Sequence, residues 1–173
     1  MNSKEQLEVW MTKYESLVFS ICYRMTGDYF AAQDITQETF LSAFRHASDF
    51  DGMNEKAWLC RIASNKCVDY MRNAGRRQIP TEDEKLPESI SHIGRPEEET
   101  LEQEVRQQLL NACRSLSPPY NRIAEDYFYL EKKAETIAGE QSQKVKTIQT
   151  RIYRARNMLR EIYRKKNIDG RAL

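Results

Sequence analysis

The sequence predicts an all-α protein of two small helical domains joined by a flexible linker, the C-terminal one a helix-turn-helix. Three observations predict it. Apolar residues recur at steps of three and four along both halves of the 173-residue chain, the period of an amphipathic helix. No segment shows the strict alternation of a strand. Between Tyr70 and Tyr120 there is no aromatic residue, and Gly75, Pro80, Pro87, Gly94 and Pro96 fall in the gap. A stretch so poor in large apolar groups cannot bury enough surface to offset its ordering entropy. It divides the chain into residues 1–75, a linker over 76–99, and residues 100–173.

The elements follow in order. Leu7, Trp10, Tyr14, Leu17, Val18, Ile21 and Met25 share one helical stripe, which Gly27 should end. Asp28 can cap a second helix running to about Ala47. Ser48 to Glu55, with Asp51-Gly52, reads as a loop, and the helical period resumes from Lys56 to about Asn73. After the linker, Thr100 can cap a helix carrying Leu101, Val105, Leu109, Ala112 and Leu116. Ser117-Pro118-Pro119 should open the next, because a first turn tolerates proline. Two further helices are expected, Ala134 to Gln141 and Lys144 to about Arg164, with Ser142-Gln143 as the turn.

The 27 basic and 26 acidic residues give a net charge of +1, which argues against a uniformly basic nucleic-acid coat. By segment the balance is uneven. Residues 1–75 sum to −2, 76–100 to −3, 101–130 to −1 and 131–173 to +7, with nine basic residues and one acid between Lys144 and Lys166. One end should face a polyanion. The four cysteines, Cys22, Cys60, Cys67 and Cys113, and the two histidines, His46 and His92, have no metal-ligand spacing, so no metal or cofactor is expected and buried reduced thiols are the simpler reading. No apolar run approaches the roughly 18 residues a membrane span needs, and Lys4, Glu5, Glu8 and Lys13 do not suit a signal peptide. A cytoplasmic protein without direct membrane insertion is expected.

Three surfaces want partners. On the second helix Ala32, Ile35, Thr39, Phe40 and Ala43 form the inward stripe, while Asp34, Gln37, Glu38, Leu41 and Arg45 face away. A leucine among acids suits a basic and apolar protein partner, although a solvated face with a stray leucine is common. On the third helix Leu59, Ile62, Ala63, Cys67 and Tyr70 point one way. Trp58, Arg61, Asn65 and Arg72 point another, followed by Arg76 and Arg77, with Phe50 and Asn54 in the preceding loop. Stacking and cationic groups on one strip fit single-stranded nucleic acid, unless Trp58 packs into the core. The last helix buries Val145, Ile148, Ile152, Ala155 and Leu159. It turns Lys146, Thr147, Thr150, Arg151, Tyr153, Arg154 and Asn157 outward, and Arg156, Arg160 and Arg164 follow. Such a face can read a major groove, or serve a membrane or partner as a basic amphipathic helix.

These stretches resemble the extracytoplasmic-function group of bacterial RNA polymerase sigma factors. YRMTGDYFAAQDITQETFLSAF, Tyr23 to Phe44, is similar to the helix pair that docks on the polymerase clamp. WLCRIASNKCVDYMR, Trp58 to Arg72, is similar to the promoter-melting helix. LSPPYNRI, Leu116 to Ile123, and TIQTRIYRARNMLR, Thr147 to Arg160, are similar to the −35-reading domain. Here Ser142 replaces the family's usual turn glycine, Gln141 an apolar residue, Lys146 a frequent glycine and Gln149 a frequent lysine.

The resemblance implies that Asp34, Gln37, Glu38 and Leu41 meet the clamp of core RNA polymerase, whose flap is a second contact. It implies that Phe50 to Glu55, with Asn54, Trp58, Arg61, Asn65 and Arg72, engage the −10 element and capture a base. Lys146, Thr147, Thr150, Arg151 and Arg154 would read or grip the −35 duplex of promoter DNA. An anti-sigma factor, commonly membrane-anchored, is implied as a further partner. No ATP-binding loop or catalytic dyad is visible, so strand opening would draw on binding energy and the protein is not read as an enzyme. A DNA-binding regulator using only its C-terminal domain, with the first domain as a sensor, a DNA-processing enzyme and a helical adaptor are the rivals.

Overall fold

The computed structural model describes residues 3–76 and 95–171; residues 77–94 of the expected linker, with Arg77, lie outside the described residues. Among the described residues every regular element is helical. The chain separates into two compact units, Met1–Glu99 and Thr100–Leu173.

The first unit holds α1 (Ser3–Thr26), α2 (Tyr29–Arg45), a 3₁₀ turn (Ala47–Asp49) and α3 (Glu55–Arg76). Gly27 ends α1 in the left-handed region at φ 64°, with its N–H donating to the Tyr23 carbonyl at 2.7 Å. Asp28 then caps α2, its Oδ1 accepting from the N–H groups of Phe30 at 3.0 Å and Ala31 at 3.2 Å. Two residues thus turn the chain and set α2 beside α1. The core between the three helices takes Trp10, Val18 and Cys22 from α1, Phe30, Ala32 and Phe40 from α2, and Leu59, Ala63 and Cys67 from α3. Thr36 and Thr39 lie in it as well, and each hydroxyl donates to the carbonyl four residues back. Tyr70, expected inward, is 37% exposed, because it lies beyond Cys67, past which the described residues of α3 are no longer buried.

Glu55 ties the start of α3 to α1. Its Oε1 accepts from the Trp10 indole N–H at 3.0 Å and from the Gln6 amide at 3.3 Å, and its Oε2 from the Tyr14 hydroxyl at 3.2 Å. The Lys13 ammonium stands 3.7 Å from Oε2. Chiefly the Trp10 bond, then Tyr14 and Lys13, hold the carboxyl below its ordinary value of 4.5 against the opposing cost of desolvation.

Helix α4 (Arg95–Ser115) starts five residues before the expected Thr100 cap, and its residues from Thr100 onward open the second unit. Pro96 suits a first helical turn. Then come α5 (Tyr120–Ala124), a π turn (Glu125–Tyr129), α6 (Ala134–Glu140) and α7 (Val145–Arg171). Pro119 stands just before α5 as its N-cap, one place earlier than a first-turn proline. Ile123, Ile137, Ala138, Ile148 and Ile152 form the core of the α5–α6–α7 packing. Arg114 of α4 clasps Glu125 with two hydrogen bonds, 3.0 and 3.3 Å, and Lys132 bridges Asp126 and Glu140 at 3.3 and 3.1 Å. All four cysteines are buried and free of disulfides. Burial first, and the Glu125 charge second, push the Cys113 thiol up to about 12, which leaves it un-ionised and unreactive at neutral pH.

The turn between α6 and α7 closes with the Gln141 N–H on the Ile137 carbonyl at 3.0 Å and the Gln143 N–H on Ala138 at 2.9 Å. Ser142 between them sits at φ 52°. It supplies the left-handed residue that this turn needs, at a steric cost of about 1 kcal/mol that glycine escapes.

Two outcomes follow from these contacts. Glu55→Gln should lower the stability of the first unit by about 1–3 kcal/mol at pH 7. Because the folded carboxyl titrates lower than the unfolded one, its contribution is complete above 4.5 and fades as pH falls through the folded value. Urea denaturation of both proteins at several pH values should therefore show their difference shrinking toward acid. Ser142→Gly should stabilise the second unit by about 0.5–1 kcal/mol, read by calorimetry as a rise in that unit's melting temperature.

Candidate nucleic-acid and partner interfaces

The outer face of α2 is built by default, since the helix spends its apolar stripe on α1 and α3. Asp34, Gln37, Glu38 and Leu41 are all exposed, Leu41 at 44%. Glu38 is not isolated: the Lys66 ammonium of α3 reaches it at 3.9 Å. Phe44, three residues beyond Leu41, is 40% exposed and widens the apolar part of this face. The sequence contained that signal in the i+3 spacing of Leu41 and Phe44, but an aromatic ring in a helix reads as core unless its neighbours on the wheel are weighed.

The loop before α3 and the first turns of α3 form an aromatic group. Phe50 stacks on Trp58 with centroids 4.8 Å apart and planes at 27°. Trp10, buried, meets both edge-on at 6.1 and 5.4 Å. Trp58 is half-buried rather than laid open on the surface, so one of its faces already carries a ring. The sequence reading missed Trp10 as the support, because residues 10 and 58 share no local period. Asn54, exposed, accepts the Ala57 N–H on its Oδ1 at 3.0 Å and so caps α3; its amide N–H groups remain for another partner. Met53 at the loop tip is 85% exposed. Glu55 turns away from this face toward α1. Arg61, Asn65 and Arg72 are exposed along α3, and the strip supplies cations and an amide beside a stacked pair of rings.

In the second unit the α6–α7 turn presents the start of α7. Lys146, Thr150 and Arg154 are exposed on one stripe, joined by Tyr153, 66% exposed, and Asn157. Thr147 and Arg151 lie on its shoulder and are half-buried. The Thr150 hydroxyl donates to the Lys146 carbonyl at 3.0 Å, which orients its methyl group and its oxygen lone pairs outward. Of the later cations, Arg156 lies over the Phe128 ring at 5.6 Å, and Arg164 pairs with Glu161 at 2.7 Å. These two serve the fold as well as the surface. The short polar and basic groups lie in the first three turns, where a helix entering a major groove meets base edges, with longer cations at its flanks.

Among the described residues no group of three or more His, Cys, Asp or Glu side chains could hold a metal ion, and no helix is long and apolar enough to cross a membrane.

Comparison with known proteins adds the lineage. The sigma-70 region 2 family matches residues 10–77, which contain the α2 face, the aromatic group and α3. The ECF RNA polymerase sigma factor SigE of Mycolicibacterium smegmatis is 32% identical over 149 residues, covering 83% of this chain and 56% of that protein. The chain thus spans little more than half the length of that relative. A probable RNA polymerase sigma factor of Haemophilus influenzae is 29% identical over 182 residues, covering 96% of this chain and 93% of its own. Among solved structures, a chain in the RsbN–BldN complex is 24% identical over 92% of each chain, with a TM-score of 0.40. The first unit thus matches sigma-70 region 2, and the chain as a whole is similar to extracytoplasmic-function RNA polymerase sigma factors.

Proposed function

We propose that this chain is an alternative sigma factor that binds core RNA polymerase, recognises −10 and −35 promoter elements and promotes strand opening. The observation that carries the reading is the division of chemistry within the first unit. One exposed face, on α2, offers Asp34, Glu38, Leu41 and Phe44, while the α3 strip offers Arg61, Asn65 and Arg72 beside Phe50 and Trp58. The first suits a basic and apolar protein surface. The second suits an unpaired DNA strand. A regulator that only bound duplex DNA would need neither.

In this reading residues 1–75 are a region two-like domain, 76–99 a linker, and 100–173 a region four-like domain that also meets the polymerase flap. Lys146, Thr147, Thr150, Arg151 and Arg154 read or grip the −35 duplex, and Phe50, Asn54, Trp58, Arg61, Asn65 and Arg72 engage the −10 element. Unstacking a base costs a few kcal/mol, and an aromatic platform returns roughly 1–3 kcal/mol per base. Those terms nearly cancel, so the polymerase contacts tip the balance toward opening. The protein acts in the cytoplasm, and an anti-sigma factor, membrane-anchored or not, restrains it by covering the exposed apolar groups of α2.

Runoff transcription with purified core polymerase and a genomic promoter pool tests the reading, and factor-dependent transcripts are the expected product. Asp34→Lys with Glu38→Lys should abolish co-purification with core polymerase and the transcripts together, whereas a one-domain regulator would keep its output. Absence of any factor-dependent transcript would overturn the assignment. Without polymerase, binding to promoter DNA should be weak and should fall steeply with salt; Arg154→Ala should reduce the slope of log K against log salt by about 1 in a fluorescence anisotropy titration.

A further inference from the structure

Asp69 is an acid on a face otherwise furnished for a polyanion. Along α3 the ladder Trp58, Arg61, Asn65, Asp69, Arg72 advances by threes and fours, and Asp69 is exposed like the polar groups on either side of it. Among the described residues it forms no ion pair with Arg72, three residues on, or with Lys66, three residues back; Lys66 turns instead to Glu38. An ionised carboxylate accepts hydrogen bonds and donates none, so phosphate oxygens beside Arg61 and Arg72 would repel it. The groups on duplex DNA that can satisfy it are base amines, which in the major groove are N4 of cytosine and N6 of adenine. Adenine places its N7 acceptor next to the amine, whereas cytosine has no acceptor there. A lone carboxylate therefore fits cytosine better. Eleven residues separate Trp58 from Asp69, about 16 Å at roughly 1.5 Å per residue. That reach carries the helix from the bases held near Trp58 onto the duplex still paired beside them.

We propose that Asp69 is a specificity-determining residue that accepts a hydrogen bond from cytosine N4 in the duplex flanking the opened −10 bases. The inference rests on the reading of α3 as the promoter-facing helix. It makes Asp69 a filter as well as a contact: a pair lacking the amine at that step leaves the carboxylate unpaired against the DNA.

The test uses holoenzyme reconstituted from core polymerase and the full chain, transcribing a template pool with the −10 element and its flanking base pairs randomised. Sequencing of the transcripts should show cytosine enriched at one flanking position. Asp69→Ala should relax that position alone, by roughly tenfold, and Asp69→Asn should shift its preference to adenine, whose N6 and N7 an amide can bridge. Preferences elsewhere in the pool should not move. A uniform change across all sequences would mean simple charge repulsion, and no change at all would mean a solvated acid; either overturns the proposal. Arg61→Ala with Arg72→Ala separates this from failure of the wider reading. If that pair leaves transcription unaffected, α3 does not face the promoter; if it depresses transcription while the Asp69 variants match the parent, only the role of Asp69 falls. Melting curves matching the parent show that each variant is folded.

Discussion

The Glu55 carboxylate is the constraint on which the first unit turns. It sits in the first turn of α3, where a negative charge meets the positive end of the helix dipole, and it accepts from three α1 side chains spaced along little more than two turns, Gln6, Trp10 and Tyr14. A single acceptor on one helix thereby fixes both the height and the rotation of the other. The Trp10 indole is held by its N–H on one side and packs against Phe50 and Trp58 on the other. The loop between α2 and α3 is pinned in turn, with Asp51 taking the Met53 N–H and Asn54 the Ala57 N–H. The rings and cations of the α3 strip are thus arranged by a group that takes no part in that strip itself.

Where a residue's role follows from its neighbours within two turns, the sequence was sufficient. The Gly27 stop, the Asp28 cap and the two faces of α2 all depend on local period and on backbone groups nearby, and each stands as expected. Roles set by distant partners were not legible. The local pattern places Glu55 with the loop before α3, because nothing local shows that residues 6, 10 and 14 converge on it. Trp58 was read as an open platform or a core residue, and it is neither, because Trp10 and Phe50 half cover it. The start of α4 was misplaced for a different reason. Thr100 is a good cap by composition, but Pro96 suits an earlier first turn, and helix ends are decided by such small differences.

Ser142 shows how a sequence can depart from a pattern while the geometry does not. The turn needs one residue with positive φ, and the hydrogen bonds from Gln141 and Gln143 on either side enforce it whatever the side chain. The cost of about 1 kcal/mol is small against the burial of Ile137, Ala138, Ile148 and Ile152, which the same turn brings together. The outward face of α7 therefore keeps its orientation, and the substitutions at Lys146 and Gln149 change which side chains that face presents rather than where it points.

The net charge of +1 describes no surface of this molecule. An acidic face on α2 and a basic one on α7 cancel in the sum, yet they lie in separate units and suit opposite partners. Within α3 the same economy works at closer range. Lys66 is drawn to Glu38 of α2, which takes one cation out of the strip, and Asp69 offsets another. What remains beside the aromatic rings is Arg61 and Arg72, enough to position a phosphate backbone and too little to hold DNA indiscriminately at physiological salt. If the chain seeks promoters as proposed, weak local attraction suits it, since a tighter grip by either unit alone would retain it on the excess of non-specific DNA before both elements could be read together.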